Sequence, residues 1–470
     1  MKSEKTISYE EQRKLDEKLL ADSWEKLKKQ AGGGEVGERC ARALKDYMSI
    51  FKSGAVEWLA HLYDHETGAF YYSNSARDNA TVEYKDVTYD LLPDIESTEQ
   101  ALYLLESSGM ITSRQDELPL DMQQKIARFV KNLQNPNGYF YHPQWGIEKT
   151  NKNISRRGRD LSNAEKILKG FGYAPTYDSP LGTKGDGLLF DGTQVAPCKI
   201  ENSKTDDTID TASPKTVSPF LENEQSFREF VNNLNINDDS YSVGSRLVSI
   251  SREIVARDKV LKAEGKNYSF VEILGDYLDA HCNPETGHWG QKMNYDGLNG
   301  LMKTVGVYNA FSRPLPYPEK SAKAACEAIT TDEEPLNICY PFNAWYGLCF
   351  VISNISRFNP DAVEIKERVR AYLFEHIEEV MEATKKNMLI FQKEDGTFSQ
   401  LSNRSSHISM GMPVAPFGIN EGDVNSTLIG VGLIPETIYS ILKLDFIPVY
   451  TKSDFMRFID IIEEKIHSAK

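Results

Sequence analysis

The sequence predicts an all-α protein assembled from repeated helical layers, and three observations predict it. An amphipathic helical pattern runs into a glycine turn and then an aromatic residue at four places. A second phrase, an Asp followed by a new apolar helical run, recurs after that turn, twice at nearly the same distance. The period-two alternation of apolar and polar residues that marks half-buried strands is nearly absent.

The first copy is AVEWLAHLYDHETGAFYY, with Val56, Leu59, Leu62 and Tyr63 at helical spacing before Gly68 and Phe70. In the second, Ile126, Phe129, Val130 and Leu133 lead into QNPNGYFYH, with Gly138 and Phe140. The third sets Phe270, Ile273, Leu274, Tyr277 and Leu278 before NPETGHWG, with Gly287 and Trp289. The fourth runs from Leu373, Ile377 and Val380 to QKEDGTFSQ, with Gly396 and Phe398. Apolar residues at i, i+3, i+4 and i+7 bury one face of each helix. The glycine supplies the positive φ that ends it, and the aromatic folds back as a staple.

Asp94-Ile-Glu96-Ser97-Thr98 lies 26 residues after Gly68, and Asp423-Val-Asn425-Ser426-Thr427 lies 27 after Gly396. Asp160, 22 after Gly138, and Asp296, 9 after Gly287, open looser versions. Inner helices are therefore expected to start near 94, 160, 296 and 423. Further helices are expected at roughly 10–30, 38–50, 222–234, 243–263, 319–328, 343–357, 361–386 and 452–468. Repeats of this kind stack into a solenoid or close into a ring. Residues 1–37 read as an N-terminal helical extension and 38–468 as the repeat domain. The segment 144–221, rich in Gly, Pro, Ser, Thr and Asp, reads as a loop-rich lid or rim insertion with one short helical stretch near 161–170. Its most loop-like part is 203–219.

The 470 residues carry 54 Lys plus Arg against 69 Asp plus Glu, a net charge of -15. Such a field repels phosphate backbones, so no nucleic-acid partner is expected. No apolar run fits a secretory signal or a membrane span, so the chain is expected to be cytoplasmic. Its six scattered cysteines, Cys40, Cys198, Cys282, Cys326, Cys339 and Cys349, are expected to be reduced.

QNPNGYFYHPQW and QKEDGTFSQ, each followed by a loop and an apolar helix, resemble the repeats of α/α-toroid proteins, in particular the terpenoid-cyclase and protein-prenyltransferase superfamily. The resemblance covers about residues 50 to 445 and implies an α/α toroid, a barrel of helical hairpins. The Asp-x-Asp-Asp of class II cyclases and the zinc-ligand pattern of the prenyltransferases are missing. Many such toroids act on carbohydrates, so the resemblance also implies a sugar substrate.

Helix-initial Asp residues have two readings. As N-caps they accept bonds from free backbone N–H groups. As functional groups they ring the mouth of a toroid, where all inner helices start on one face. In the second reading Asp296 and Asp423 are paired carboxylates with Glu421 and Tyr295 beside them. Trp289, His407, Arg404, His142, Trp145, Asp94 and Glu96 would then contact substrate. Two carboxylates at controlled separation supply acid and base for glycoside hydrolysis, and aromatic faces stack on pyranose rings. The expected function is a carbohydrate-acting enzyme, a glycoside hydrolase, on a small-molecule or oligosaccharide substrate. The alternatives are a non-catalytic glycan- or peptide-binding scaffold, a polysaccharide lyase or an isoprenoid-type cyclase. No cofactor and no metal is expected. Asp206-Asp207-Thr-Ile-Asp210 matches a magnesium-diphosphate motif but sits in a Ser/Thr/Pro-rich loop. His61 and His65, at i and i+4, lack a third ligand. The basic cluster Lys149, Lys152, Arg156, Arg157 and Arg159 reads as a solvated loop that could also clamp an anion.

Overall fold

The computed structural model describes residues 7–195 and 218–468. They form a mostly helical, all-α protein whose strands are three short antiparallel pairs. Helices Tyr9–Gln30, Gly34–Met48, Glu224–Asn232, Ser240–Ala263, Pro318–Ile329, Cys339–Phe358 and Lys452–Ser468 lie at the apolar periodicities. The single run expected over 361–386 is two helices, Ala362–Glu375 and Ile377–Leu389, broken at His376.

The four glycine turns share one construction. Gly68, Gly138, Gly287 and Gly396 have φ of 78°, 86°, 73° and 88°, a region that glycine enters without steric cost. Phe70, Phe140, Trp289 and Phe398 behind them are each 0% exposed. The glycines also permit close approach. A Cβ on Gly68 would sit 2.6 Å from the Lys125 carbonyl carbon, on Gly138 2.3 Å from the Asp178 oxygen, and on Gly287 2.4 Å from the Ser321 nitrogen. On Gly396 it would meet the Lys52 side chain at 2.8 Å. The first three turns are thus each pressed against a later segment of the chain, the first of them against the second copy's outer helix, and the fourth against Lys52 just before the first copy.

The two pentapeptides are bonded alike. Asp94 and Asp423 are N-caps, with Oδ1 accepting from Ser97 N at 2.9 Å and from Ser426 N at 2.8 Å. The backbone N–H of each Asp donates to the turn aromatic, Asp94 to Phe70 O and Asp423 to Phe398 O. In return Phe70 N and Phe398 N donate to Thr98 Oγ1 and Thr427 Oγ1 at 3.0 and 3.1 Å. The start expected near 160 is corrected, and the one near 296 stands with a different capping residue. Asp160 lies inside Ile154–Gly170, which begins at the Asn153 cap, and Asp296 is the second residue of Tyr295–Phe311, capped by Asn294.

The segment 144–221 is also more ordered than expected over its described part. It holds helices Gly146–Lys152 and Ile154–Gly170 and two more glycine turns. Ser179 N→Thr183 O and Leu189 N→Thr193 O, both 2.9 Å, repeat the bond made by Lys393 N→Thr397 O at 2.8 Å. No aromatic follows Gly182 or Gly192, so these copies carry no staple by which a pattern could find them. Most of 203–219, with Asp206, Asp207 and Asp210, lies outside the described residues.

One series of contacts links the more apolar helices. Ile154–Gly170 packs on Ile95–Ser107, which packs on the π-helical stretch Leu428–Leu433. Its continuation, Ile434–Leu442, packs on Cys339–Phe358, that helix on Tyr295–Phe311, and the latter on Ser240–Ala263. Near their N-termini two hairpins project, Thr81–Tyr84 with Val87–Asp90 and Ile408–Ser409 with Met412–Pro413. Their loop pairs Lys85-Asp86 and Met410-Gly411 all have positive φ, the two-residue turn whose twist matches paired strands. No described helix is long and apolar enough to cross a membrane.

Candidate functional site

Arg156 organises the site. It is the third residue of Ile154–Gly170, its own backbone N–H capped by Asn153 Oδ1, and it is fully buried. Its Nη2 meets Asp160 Oδ1 at 2.5 Å, the i,i+4 partner on the same helix, and its Nη1 meets Glu96 Oε2 at 2.8 Å. Its guanidinium lies 4.7 Å from the Trp145 ring, so one face is covered by the π cloud. Glu96 is also reached by Arg159 Nε at 3.4 Å and by Ser409 Oγ at 2.6 Å.

Two polar atoms in this cluster have no hydrogen-bond partner among the described residues, Arg156 Nε and Asp160 Oδ2. Burial pushes the Asp160 carboxyl up to about 7 despite the adjacent guanidinium. Asp423, 0% exposed, is pushed up to about 6 by burial against the pull of Ser426 and the Tyr72 hydroxyl. Burial also raises Asp94. A buried imidazole moves the other way. His142 Nε2–H donates to Pro93 O, 2.8 Å away, and the imidazole is pushed down to about 4 by desolvation, so it is neutral near pH 7. Four carboxyl groups and one guanidinium, 4% exposed or less, are thus gathered in the interior, three of the carboxyls (Asp94, Glu96 and Asp423) at helix N-termini, whose dipoles favour negative charge.

The hairpin Ile408–Pro413 closes over this cluster. Ser409 binds Glu96, Asn153 Nδ2 donates to Met410 O at 2.7 Å, and Gln144 Nε2 and Trp145 Nε1 donate to Pro413 O at 2.8 and 3.3 Å. Sequence patterns single out Arg156 only as part of a solvated basic run. The structure corrects that reading, because the i,i+4 spacing of Arg156 and Asp160 lets the pair enter the interior together.

The other expected site residues are dispersed. Asp296 is exposed and lines a cleft of about 350 Å³ with Asp239, Tyr241 and Lys292. It shares no hydrogen bond or ion pair with Asp423 among the described residues. Glu421 holds the 73–76 turn, accepting from Ser73 Oγ at 2.7 Å, Ser75 N at 3.0 Å and the Ser75 hydroxyl. Tyr295 is buried, its hydroxyl accepting from Asn387 at 2.9 Å. Trp289 donates to Leu278 O at 2.7 Å and packs on Tyr308. His407 and Arg404 lie on the loop that carries the closing hairpin and flank Phe417. His61 Nδ1 is bonded to Glu57 O. No set of three or more His, Cys, Asp or Glu among the described residues could hold a metal.

Comparison with protein-family models, with curated proteins and with solved structures finds no match.

Proposed function

We propose that the linked apolar helices close into an α/α toroid over about residues 38–468, preceded by a helical extension, and that the buried carboxylate cluster at its mouth hydrolyses a carbohydrate. The observation that carries this reading is the Glu96–Arg156–Asp160 arrangement. Two carboxylates are held side by side by the terminal nitrogens of one guanidinium, and a pair of carboxyl groups is what acid–base hydrolysis of glycosides uses. Asp160, pushed up to about 7 and with Oδ2 unpartnered, supplies the acid. Glu96, tied to two arginines, supplies the base or nucleophile. In this proposal Asp160 and Glu96 take the place of the Asp296–Asp423 pair, and Asp423 remains as a third carboxyl that shapes the site. Substrate enters when the Ile408–Pro413 hairpin lifts and Ser409 leaves Glu96. The five described cysteines are free, which supports a reducing, cytoplasmic setting.

A second reading, a non-catalytic glycan- or peptide-binding toroid, is favoured by one observation: the cluster is sealed, with Glu96 only 4% exposed. The two part on turnover. Assayed against a panel of neutral and acidic oligosaccharides, the hydrolase should release reducing ends. Glu96→Gln and Asp160→Asn should each lower that rate by several orders of magnitude while circular dichroism stays native. Ligand-dependent thermal stabilisation without turnover sinks the hydrolase and leaves the binder.

A further inference from the structure

On the outer side of the closing loop, five side chains run in contact across the surface. Lys85 Nζ lies 5.0 Å from the Tyr84 ring, Tyr84 lies 6.3 Å from His407, and His407 lies 4.7 Å from Phe417. The Arg404 guanidinium completes the run 5.4 Å from Phe417. The order is cation, ring, ring, ring, cation. Lys85 and Tyr84 come from the hairpin Thr81–Tyr84/Val87–Asp90, and the others from the loop 404–417, so only the fold brings them together.

Packing does not account for this row. Phe417 is 66% exposed and set edge-on against His407, which in turn meets Tyr84 edge-on, and a run of rings that ends in an exposed phenyl is a surface built for contact. Lys85 and Arg404 form no ion pair with a carboxylate among the described residues, in a chain of net charge -15. Burial and Arg404 hold the His407 imidazole below its ordinary range, so the fixed charge of the row comes from its two ends. The same loop carries Ser409, which seals Glu96. A molecule bound along the row therefore lies against the element that closes the cluster.

We propose that Tyr84, His407 and Phe417 form a stacking platform for pyranose rings, with Lys85 and Arg404 at its ends taking the carboxylates of an acidic, uronate-containing oligosaccharide. This inference rests on the carbohydrate reading above and names its substrate class. Aromatic rings between cations can also bind single-stranded nucleic acid, but that needs a positive groove tracking successive phosphates. Here there are two cations, and Glu83, Asp86 and Asp90 are exposed on the same hairpin. That balance suits spaced carboxylates.

The test is a calorimetric titration with hexagalacturonate, cellohexaose and hexathymidylate, on the full chain and on Phe417→Ala and Lys85→Gln/Arg404→Gln, each checked for a native melting curve. Hexagalacturonate should bind more tightly than cellohexaose at low salt. Phe417→Ala should weaken both sugars about three- to ten-fold. The double variant should abolish the preference for the acidic sugar and its salt dependence while leaving cellohexaose unchanged. Hexagalacturonate binding that neither variant alters overturns the proposal, as does tighter binding of hexathymidylate lost in the same variants. If cellohexaose is cleaved in an Asp160-dependent manner while hexagalacturonate is ignored, the platform fails and the hydrolase stands. If the variants lose hexagalacturonate binding but no oligosaccharide is cleaved, the platform stands and the hydrolase fails.

Discussion

Arg156 neutralises carboxylates that would otherwise be stranded away from water. Replacing it by Met leaves Asp160 buried without its counter-ion and Glu96 with Arg159 alone, and removal of one partner of such a group typically costs about 3–5 kcal/mol. The urea midpoint of Arg156→Met should fall accordingly, and Arg156→Lys should recover only part, because an ammonium cannot hold two carboxylates in the guanidinium's fixed fork. Titration follows from the same burial. Asp160 and Asp423 are raised from 3.8 to about 7 and about 6. The folded state holds their protons more tightly than the unfolded chain, so their contribution is complete below about pH 4 and is lost as pH rises through 6 to 7. His142 is lowered from 6.5 to about 4, so its contribution is complete above pH 6.5 and is lost as pH falls toward 4. The carboxyls and the imidazole oppose each other between these limits. Asp160→Asn should remove part of the loss on the alkaline side, seen as a flatter dependence of unfolding free energy on pH between 4 and 7.

Among the elements, the glycine turn is the unit that repeats, and its cost of substitution separates two physical effects. Gly418, at φ +83° with nothing near its missing Cβ, should lose only the left-handed backbone preference on mutation to Ala, roughly 1–2 kcal/mol. Gly138, at φ +86° with Asp178 O 2.3 Å from that Cβ, carries the same backbone cost and an overpacking cost of about 1–3 kcal/mol besides. Equilibrium unfolding of Gly138→Ala and Gly418→Ala measures the difference, and equal losses would show that the turn does not press on its neighbour. Helix Val424–Thr427 runs into Ile434–Leu442 through the π-helical turn Leu428–Leu433, which ends two residues before Pro435. A wide turn there fits a residue that has no N–H to donate. Gly430 and Gly432 let that turn approach Phe398 and Ser107, where a Cβ would come within 2.7 and 2.1 Å.

At the scale of the whole molecule, the two ends of the chain are bound to each other. Gln392 Nε2 donates to Ile50 O at 2.6 Å, and a Cβ on Gly54 would meet Asp395 O at 2.5 Å, just as one on Gly396 would meet Lys52. Helix Lys452–Ser468 packs on Gly54–Leu62 and on Tyr9–Gln30. The fourth turn thus lies against the segment that leads into the first copy. A double-mutant cycle on Gly54→Ala and Gly396→Ala tests it. Each single change should cost about 1–3 kcal/mol. The double change should cost less than the sum, because both open one junction. Strict additivity would mean that the two glycines serve separate contacts.

The sequence by itself determined the helical class and, at Asp94 and Asp423, the two caps that open its best-matched helices. Those features rest on local physics: the spacing of apolar residues, the positive φ of glycine and the short reach of a capping side chain. Asp160 was misplaced as a helix head, and Asp296 as the cap of a helix that starts beside it, for the same reason. Asn153 and Asn294 cap a few residues earlier, and an Asp in the first turns looks alike in either place. Only the tertiary structure decided the site. Glu96, Arg156 and Ser409 lie far apart in sequence, and which charges are buried depends on what covers them. Lys85, Tyr84, His407, Phe417 and Arg404 form a row only after two hairpins from distant parts of the chain meet. Contact across such separations leaves no periodicity to read, because it is set by packing and not by the local backbone.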